Sequence, residues 1–545
     1  MSDYAHRHPW RLAAYAVIAP AAVLAQIGFA QVLRLITGAL TGTVRLGYGL
    51  LVVIVCGYLV VAAALFFLDL YWSQMIAAQA ASELRGRVFK TLTALPPAER
   101  RRLASGRAVA KLTSQVDAVQ SGWYLQLLTL YGFICEFVLA VGTVLVAAPG
   151  LTAAILLLTL PGVLLPVLAR GWLTRAKVAQ LEAIQRYTAL VTDRLNGFST
   201  MYLFDLRARL RQQHDAAADQ LFTQTRHQLA VTKAVRAAGQ LFSNAMYLGT
   251  WVIGARFVLD GELTLADLVA FAQLVIFISE PLEEGIGLLA ELPGGRAAAR
   301  ELADQAPAPI AAHQQVARVA LQAFSATVAG TPILREVSIT LDLHQRYLIV
   351  GASGAGKSAL ISALLGELPA TSGQVGYWTA DGRPATAADL MATVTVAPQT
   401  PDIFSTTVLE NLRLFDPQIT PAAVAQAAAL AALTVPLTKH VSSEAAALSG
   451  GERQRLGVAR ALLFPAAVMI ADEPTAGLDA DTAHRVAQTL AARPGGRLVV
   501  THQHLAPLLA TTDQVLVLAN GQLVASGAPS APAIQAALLR LNLQA

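Results

Sequence analysis

Long apolar stretches alternate with polar, basic stretches through the first half of the chain. A membrane-spanning helix needs about 20 mostly apolar residues. Gln26 and Gln31 interrupt the first apolar stretch and Asn244 interrupts the fifth, whereas the second, third and fourth are clear. The pattern predicts an all-α transmembrane domain over residues 1–304, with six spans at residues 12–33, 49–72, 124–148, 151–169, 241–259 and 265–289.

Two long polar gaps, residues 73–123 and 170–240, separate these spans and keep a helical period, as in Leu181–Leu195. We therefore expect helices that continue out of the membrane. Both gaps are rich in Lys and Arg. By the positive-inside rule, this composition places the gaps and the N-terminus on the cytoplasmic side of the membrane, and we expect that membrane to be a bacterial plasma membrane. The N-terminal segment shows no small-residue cleavage site, which favours a membrane anchor over a removable signal peptide.

The second half of the chain has the composition of a water-soluble domain. Residues 305–318 are rich in Ala, Pro and Gln without periodicity, which is typical of a linker. From residue 319 to residue 545, short apolar runs alternate with helical patterns. This alternation predicts an α/β domain built on a parallel sheet, so the fold class is multi-domain.

Composition narrows the class of protein further. Hydrophobic residues make up 55% of the 545 residues and charged residues only 14%, which excludes an ordinary soluble globule. The net charge of +5 comes from Lys and Arg that flank the spans, so no nucleic-acid partner is expected. Cys56 and Cys135 lie in apolar runs without metal-ligand spacing and are expected to be core residues.

The segment GASGAGKS lies between an apolar strand and a helix, the context of a phosphate-binding loop. Its backbone N–H groups and the helix N-terminus attract phosphate oxygens. Lys357 is expected at the terminal phosphates and Ser358 on Mg²⁺. The predicted nucleotide-binding residues of this loop are Gly351, Ser353, Gly354, Ala355, Gly356, Lys357, Ser358 and Ala359.

Polar residues follow three further apolar runs of the second half. In VMIADE, Asp472 suits a Mg²⁺ shell and Glu473 is placed to polarise an attacking water. His502 ends the run LVVTH, at the sheet edge where ligands bind in parallel sheets. Gln399, in the loop VAPQTPDIF, is a candidate sensor of the terminal phosphate, the water and the metal. The predicted catalytic set is Glu473, His502 and Gln399, and the predicted metal ligands are Ser358, Gln399 and Asp472.

Together these motifs resemble the ATP-binding cassette (ABC) transporter family, in the family's order. LSGGERQRLGVARALL resembles the family's signature and its following helix, and ADEPTAGLD resembles the Walker B segment running into the D-loop. Pieces of the first half, such as LTSQVDAVQ and ELTLADLVAF, are similar to exporter-type transmembrane domains. The chain is also loosely similar to the thiol-exporting subunits of cytochrome assembly.

The resemblance implies ATP and Mg²⁺ as ligands and a pair of ATPase domains arranged head to tail. The signature residues Ser449, Gly450 and Gly451, with Asp479 of the D-loop, then serve the ATP held by a second half-transporter. ATP-driven closure switches the membrane cavity from inward to outward facing. Segments near Pro96–Arg102 and Met201–Leu206 are implied to be the coupling helices that transmit this closure.

Two departures from the family pattern bear on the partner. Val328 stands where an adenine-stacking Tyr is expected, and the D-loop has Ala476-Gly477. Both favour a heterodimer with a different half-transporter, with a homodimer as the other arrangement. Glu473 and His502 are present, so we expect this chain's own site to hydrolyse ATP. A nucleotide-gated channel or sensor that binds ATP without sustained pumping is the alternative function.

The transported substrate is a small molecule, a lipid or a peptide, and the sequence does not separate these classes. Glu136 lies in the middle of the third span. An intramembrane carboxylate is a functional candidate, so we hypothesise that Glu136 lines the cavity; a hydrogen bond between helices is the alternative.

Overall fold

The structure is a computed structural model that describes residues 2–95, 98–99, 103, 105–303, 314–328, 330–442, 448–464, 466–502 and 505–541. The backbone divides into two compact units. The first comprises Met1–Lys90 and Val109–Ala306, and the second comprises Thr91–Ala108 and Pro307–Ala545. Residues 304–313 of the predicted linker, and residues 96, 97 and 100–102 of the coupling segment near Pro96–Arg102, lie outside the described residues.

The described residues of the first unit form helices and short connections without a strand, because a backbone surrounded by lipid must satisfy its hydrogen bonds within the helix. Its apolar core joins the first, third, fourth and last spans through residues such as Ile27, Val144, Leu151 and Leu274. The described helices are α1 Ser2–Arg7, α2 Pro9–Leu40, α3 Tyr48–Thr93, α4 Ser105–Leu112, α5 Ser114–Val119, α6 Gln126–Ala147, α7 Pro149–Asn196, α8 Phe198–Leu203, α9 Arg207–Leu259 and α10 Leu265–Ala303, with a π-helical turn at Gln120–Leu125.

Five helical segments among the described residues are long and apolar enough to cross a membrane: Pro9–Leu40, Tyr48–Thr93, Gly106–Ala147, Pro149–Asn196 and Leu265–Leu282. They contain the predicted first, second and fourth spans in full, residues 124–147 of the third, and residues 265–282 of the sixth. The predicted fifth span, residues 241–259, forms the last part of α9. Its mean hydropathy is lowered by polar residues such as Asn244 and Arg256, so composition alone does not select it.

Three helices are much longer than a membrane is thick, as the two polar gaps predict. The helices α3, α7 and α9 have 46, 48 and 53 residues. At 1.5 Å per residue each is roughly 70–80 Å long, against about 30 Å of hydrocarbon. The predicted helical extensions are therefore present over most of both gaps.

The second unit contains the predicted parallel sheet. Its six strands run in the order β12-β11-β3-β10-β9-β6, all parallel except β12, which pairs antiparallel with β11. A second sheet has the order β2-β1-β4-β5. The strands are β1 Val316–Val328, β2 Thr331–Asp342, β3 Arg346–Gly351, β4 Ser372–Thr379, β5 Pro384–Ala385, β6 Val394–Ala397, β7 Thr406–Thr407, β8 His440–Val441, β9 Val468–Asp472, β10 Gly496–Val500, β11 Gln514–Ala519 and β12 Gln522–Gly527.

Helices cover the parallel sheet and complete its core. They are α11 Lys357–Leu364, α12 Ala387–Thr393, α13 Val408–Arg413, α14 Pro421–Leu430, α15 Gly450–Leu463, α16 Ala480–Ala492, α17 Leu505–Leu509 and α18 Pro532–Arg540. Strands β9 and β10 are buried along their whole length, and β3 is buried from Tyr347 to Gly351, which explains the apolar runs in these strands. Their carboxyl ends share one edge of the sheet, where the candidate site lies.

One predicted boundary is placed differently by the structure. The linker was expected to reach residue 318, but β1 already begins at Val316. Val316 is buried, and its backbone N–H donates to the Thr393 hydroxyl at 3.0 Å. This contact spans 77 residues of sequence, so local composition gives no sign of it.

Candidate functional site

The predicted phosphate loop connects β3 to α11 in the expected order. Gly354 and Gly356 have φ angles of +75° and +96°, which residues with a side chain rarely adopt. A Cβ at Gly351 would lie 2.4 Å from the carbonyl oxygen of Leu518, so only glycine fits at the end of β3. These glycines allow the loop to curl over the N-terminus of α11.

Lys357 is buried at the first position of α11, at 6% exposure. Its ammonium donates to the carbonyl oxygens of Gly351 at 3.0 Å and Ala352 at 2.9 Å. The lysine therefore lies across the loop itself, with its charge directed at the concave side of the loop. The remaining predicted loop residues, Ser353, Ala355, Ser358 and Ala359, belong to the same turn and the start of α11.

Asp472 ends β9 and is 8% exposed. Burial raises the pKa of Asp472, the Ser358 hydroxyl opposes this by hydrogen bonding, and the Glu473 carboxylate adds to it. Its Oδ1 atom is buried and has no hydrogen-bond partner in the described part of the chain. A buried carboxylate oxygen without a donor, beside a serine hydroxyl, fits a hard cation such as Mg²⁺.

Glu473 is held between the two other residues of the predicted catalytic set. Gln399 Nε2 donates to Glu473 Oε2 at 3.0 Å, and His502 Nδ1 lies 3.4 Å from Glu473 Oε1. These three residues follow β6, β9 and β10, which are neighbours in the sheet. The structure thus brings together side chains that are 74 and 29 positions apart in sequence, as the strand-end argument predicts.

The backbone of Glu473 is strained, with a φ of +49°. Its N–H donates to the carbonyl of Val500 at 2.9 Å, and Gln454 of α15 donates to the carbonyl of Glu473 at 3.0 Å. Gln454 is buried, and sequence reasoning did not single it out. Its place within the signature helix LSGGERQR was the available signal.

Ser449 is the N-cap of α15, and Gly450 and Gly451 form the first turn. The Ser449 hydroxyl accepts from the Glu452 N–H at 3.2 Å, and Glu452 Oε2 accepts from the Ser449 N–H at 2.7 Å. This capping box uses the Ser449 hydroxyl oxygen as an acceptor and the Ser449 N–H as a donor, so the hydroxyl proton is the Ser449 donor that remains for phosphate. Asp479 is the N-cap of α16, and its Oδ1 accepts from the Thr482 N–H at 3.0 Å.

In the first unit, a cavity of about 690 Å³ lies among α7, α9 and α10. Its polar lining includes Arg236, Gln240, Asn244, Glu280 and Glu284. Arg236 Nη2 lies 3.9 Å from Glu284 Oε1, and both side chains are largely exposed.

Glu136, the predicted cavity residue, is 8% exposed and is not among the residues that line this cavity. Asp69, a second carboxylate within the predicted spans, lies in the second span, half-buried beside the Tyr15 hydroxyl. Two intramembrane carboxylates, not one, are therefore present in the first three spans.

Family models match both units. The model of the ABC transporter transmembrane region matches residues 12–282, and the ABC transporter model of the ATPase matches residues 334–476. The fold is similar to a bacterial Atm1-family ABC exporter with ATP bound, with a TM-score of 0.81 over 98% of this chain and 96% of that one, at 20% identity.

Relatives differ in how much of their length is matched. An ATP-dependent lipid A-core flippase of Psychrobacter cryohalolentis is 27% identical over 92% of this chain and 86% of its own length. A fatty acid ABC transporter ATP-binding/permease protein of Mycobacterium tuberculosis is 25% identical over 77% of this chain and 69% of its own length.

A lactococcin transport/processing protein of Lactococcus lactis is 27% identical over 55% of this chain, which spans only 44% of that protein. The predicted fusion of a helical membrane domain ahead of an α/β ATPase is confirmed, and so is the prediction of an ATPase-coupled exporter at the level of the family. The chain belongs to the ABC transporter family, as a multi-pass membrane protein whose second unit carries the family's nucleotide-binding domain.

Proposed function

We propose that this chain is one half of an ATP-driven exporter whose own nucleotide site is catalytically competent. The observation that carries the proposal is the Glu473 carboxylate, held between Gln399 at 3.0 Å and His502 at 3.4 Å. In this position Glu473 takes a proton from the water that attacks the γ-phosphate. His502 and Gln399 orient the carboxylate and the water.

The phosphate loop supplies binding rather than chemistry. The N–H groups of residues 351–359 and the Lys357 ammonium bind the β- and γ-phosphate oxygens. Ser358, Asp472 and Gln399 are the proposed Mg²⁺ ligands, and the buried Oδ1 of Asp472 supports this assignment. When bound, the metal neutralises charge that develops on the phosphate oxygens.

The signature is proposed to act on ATP held by a second half-transporter. Ser449, Gly450 and Gly451 begin the 14-residue helix α15, whose N-terminus attracts anions. One chain has one phosphate loop and one signature, so two chains are needed for two complete sites. We favour a heterodimer because Val328 and Ala476-Gly477 depart from the usual residues.

We assign residues 1–304 to the transmembrane domain, the segment from residue 305 to the start of β1 at Val316 to the linker, and the rest of the chain to the ATPase domain. The basic polar gaps support a location of the ATPase domain in the cytoplasm of a bacterial cell. The segment Met201–Leu206, proposed as a coupling helix, lies at the end of α8, where Tyr202 and Leu203 are exposed. The cavity lined by amides, carboxylates and Arg236 supports a small molecule, a lipid or a peptide with polar groups as substrate.

The test is ATP hydrolysis by the purified chain, alone and with its partner, in a lipid bilayer. Glu473→Gln is expected to lower the hydrolysis rate by about 10²–10⁴-fold while ATP binding persists, as for removal of a general base. Glu410→Gln is the matched control, since Glu410 pairs with Arg413 on α13. A Glu473→Gln variant that hydrolyses ATP normally, or a wild-type chain that binds ATP without hydrolysing it, would favour the channel or sensor.

A further inference from the structure

Basic and aromatic side chains at the start of the first span contact the end of the second span. Arg7 Nη1 lies 3.1 Å from Glu83 Oε2, and His8 Nε2 lies 2.8 Å from Glu83 Oε1. One carboxylate on α3 therefore serves two neighbouring basic residues. Each oxygen of Glu83 therefore lies near a basic side chain at the N-terminal end of α2.

Arg11, one helical turn further along α2, pairs with no carboxylate in the described part of the chain. Its Nη1 lies 3.9 Å from the sulfur of Met75, and its guanidinium carbon lies 5.2 Å from the centre of the Trp10 ring. Its Nε is buried without a hydrogen-bond partner. Since a thioether is a weak acceptor and a guanidinium is always charged, Arg11 keeps donors for an anion.

The position of Arg11 along the chain fixes its depth in the membrane. It directly precedes the apolar stretch of residues 12–33, and Trp72 ends the stretch of residues 49–72. The rings of Trp10 and Trp72 meet edge to face at 5.9 Å, and Trp10 is 59% exposed. Tryptophan concentrates at the membrane–water interface, so Arg11 lies at the level of the lipid headgroups.

An exposed apolar strip adjoins these groups on α3. Phe67, Leu70 and Tyr71 are 64%, 48% and 56% exposed, and Phe67 stacks with Tyr71 at 5.9 Å. Tyr71 directly precedes Trp72, so this apolar surface begins on the turn of α3 that contacts Trp10. This combination of cation and apolar strip fits an amphiphile better than a free anion.

We propose that Trp10, Arg11 and Trp72 form a binding site for the phosphodiester of an anionic phospholipid such as phosphatidylglycerol. The guanidinium binds two phosphate oxygens in a fork, and the tryptophan rings and the α3 strip contact the glycerol and acyl chains. The topology on which the site rests belongs to the proposed function, and it places the lipid in the cytoplasmic leaflet. Basic residues near that surface attract anionic lipids.

The test uses the full chain in nanodiscs of phosphatidylcholine into which phosphatidylglycerol is titrated. The midpoint of thermal stabilisation and the lipid retained in native mass spectra report binding. Arg11→Gln is expected to require about fivefold more phosphatidylglycerol than the wild type, and Arg11→Lys to be intermediate. Arg45→Gln is the matched control, since Arg45 is exposed in the connection after α2, at the other end of the first span.

Equal phosphatidylglycerol requirements for the wild type and Arg11→Gln would overturn the proposal. So would an equal loss in Arg45→Gln, or stabilisation by inorganic phosphate that depends on Arg11 to the same extent. ATP hydrolysis by Arg11→Gln in detergent confirms that the variant folds. Glu473→Gln separates the two proposals, because it is expected to lose hydrolysis and to bind phosphatidylglycerol normally.

Discussion

The signature carries a negative charge at the point where it is proposed to meet phosphate. Glu452 accepts the Ser449 N–H at 2.7 Å, and this backbone hydrogen bond holds the pKa of Glu452 below its ordinary value. Glu452 is therefore ionised at neutral pH. We predict that Glu452→Gln strengthens the ATP-dependent association of the two ATPase domains, because Gln keeps the capping oxygen and removes the charge.

The size of the effect follows from Coulomb's law. Ser449 and Glu452 belong to the same capping box, so a phosphate bound to the Ser449 hydroxyl lies on the order of 6 Å from the Glu452 carboxylate. Two like charges at that distance repel by about 0.7 kcal/mol in water and about 3 kcal/mol at an effective dielectric constant of 20. The ATP concentration for half-maximal hydrolysis is therefore expected to fall by between about threefold and about 100-fold.

The assay is ATP hydrolysis against ATP concentration, at low and at high salt, with the partner chain present. The gain from Glu452→Gln is expected to shrink at 1 M salt, where the screening length is about 3 Å. Glu452→Asp keeps the negative charge and shortens the side chain, so it is the control for the geometry of the capping box. An unchanged or higher half-maximal concentration in Glu452→Gln would refute the reasoning, and so would an equal gain in Glu452→Asp.

Three further predictions concern the second unit. Gly351→Ala is expected to abolish nucleotide binding and to lower the free energy of unfolding by about 1–3 kcal/mol, because the alanine Cβ would lie 2.4 Å from the Leu518 carbonyl oxygen. The fluorescence of a bound nucleotide analogue measures binding, and thermal unfolding measures stability. Arg497, at 2% exposure, donates to three backbone carbonyls at 2.8–3.3 Å. Arg497→Lys is expected to speed hydrogen exchange in β10, at a cost of about 2–4 kcal/mol, because an ammonium cannot reach all three. The Arg346 side chain lowers the pKa of Asp513. The stability that this ion pair contributes is therefore present at neutral pH and is lost as pH falls below about 4. Asp513→Asn is therefore expected to lower the melting temperature at pH 7, and its difference from the wild type to vanish in acid.

The fold of the second unit was predictable because its signals are local. Glycines at residues 351–356 dictate a curled loop, and buried strands have continuous apolar sequence. The grouping of Gln399, Glu473 and His502 was predictable only as strand ends that share an edge. The distances of 3.0 and 3.4 Å, the strained φ of Glu473 and the contact from Gln454 depend on side chains and strands far apart in sequence.

The membrane unit was less predictable in detail, because hydropathy averages over a window and carries no information about helix rotation. The mean hydropathy of the second span gives no sign of Asp69 within it, and polar residues lower the mean hydropathy of residues 241–259. Glu136 was assigned to the cavity from its depth alone. The structure places it at 8% exposure and does not include it among the residues that line this cavity, because packing decides which face a helix turns toward its neighbours.

The residues proposed to bind nucleotide already have partners within the chain. Lys357 donates to its own loop, Glu473 is held by Gln399 and His502, and the Ser449 N–H donates to Glu452. Nucleotide binding therefore exchanges hydrogen bonds instead of adding them, and the net stabilisation is the difference between two sets of contacts. A change that weakens an internal partner without removing the binding group is expected to strengthen nucleotide binding. At Glu452, replacing the carboxylate by an amide weakens the acceptor of the Ser449 N–H and removes one charge, while the Ser449 hydroxyl stays in place.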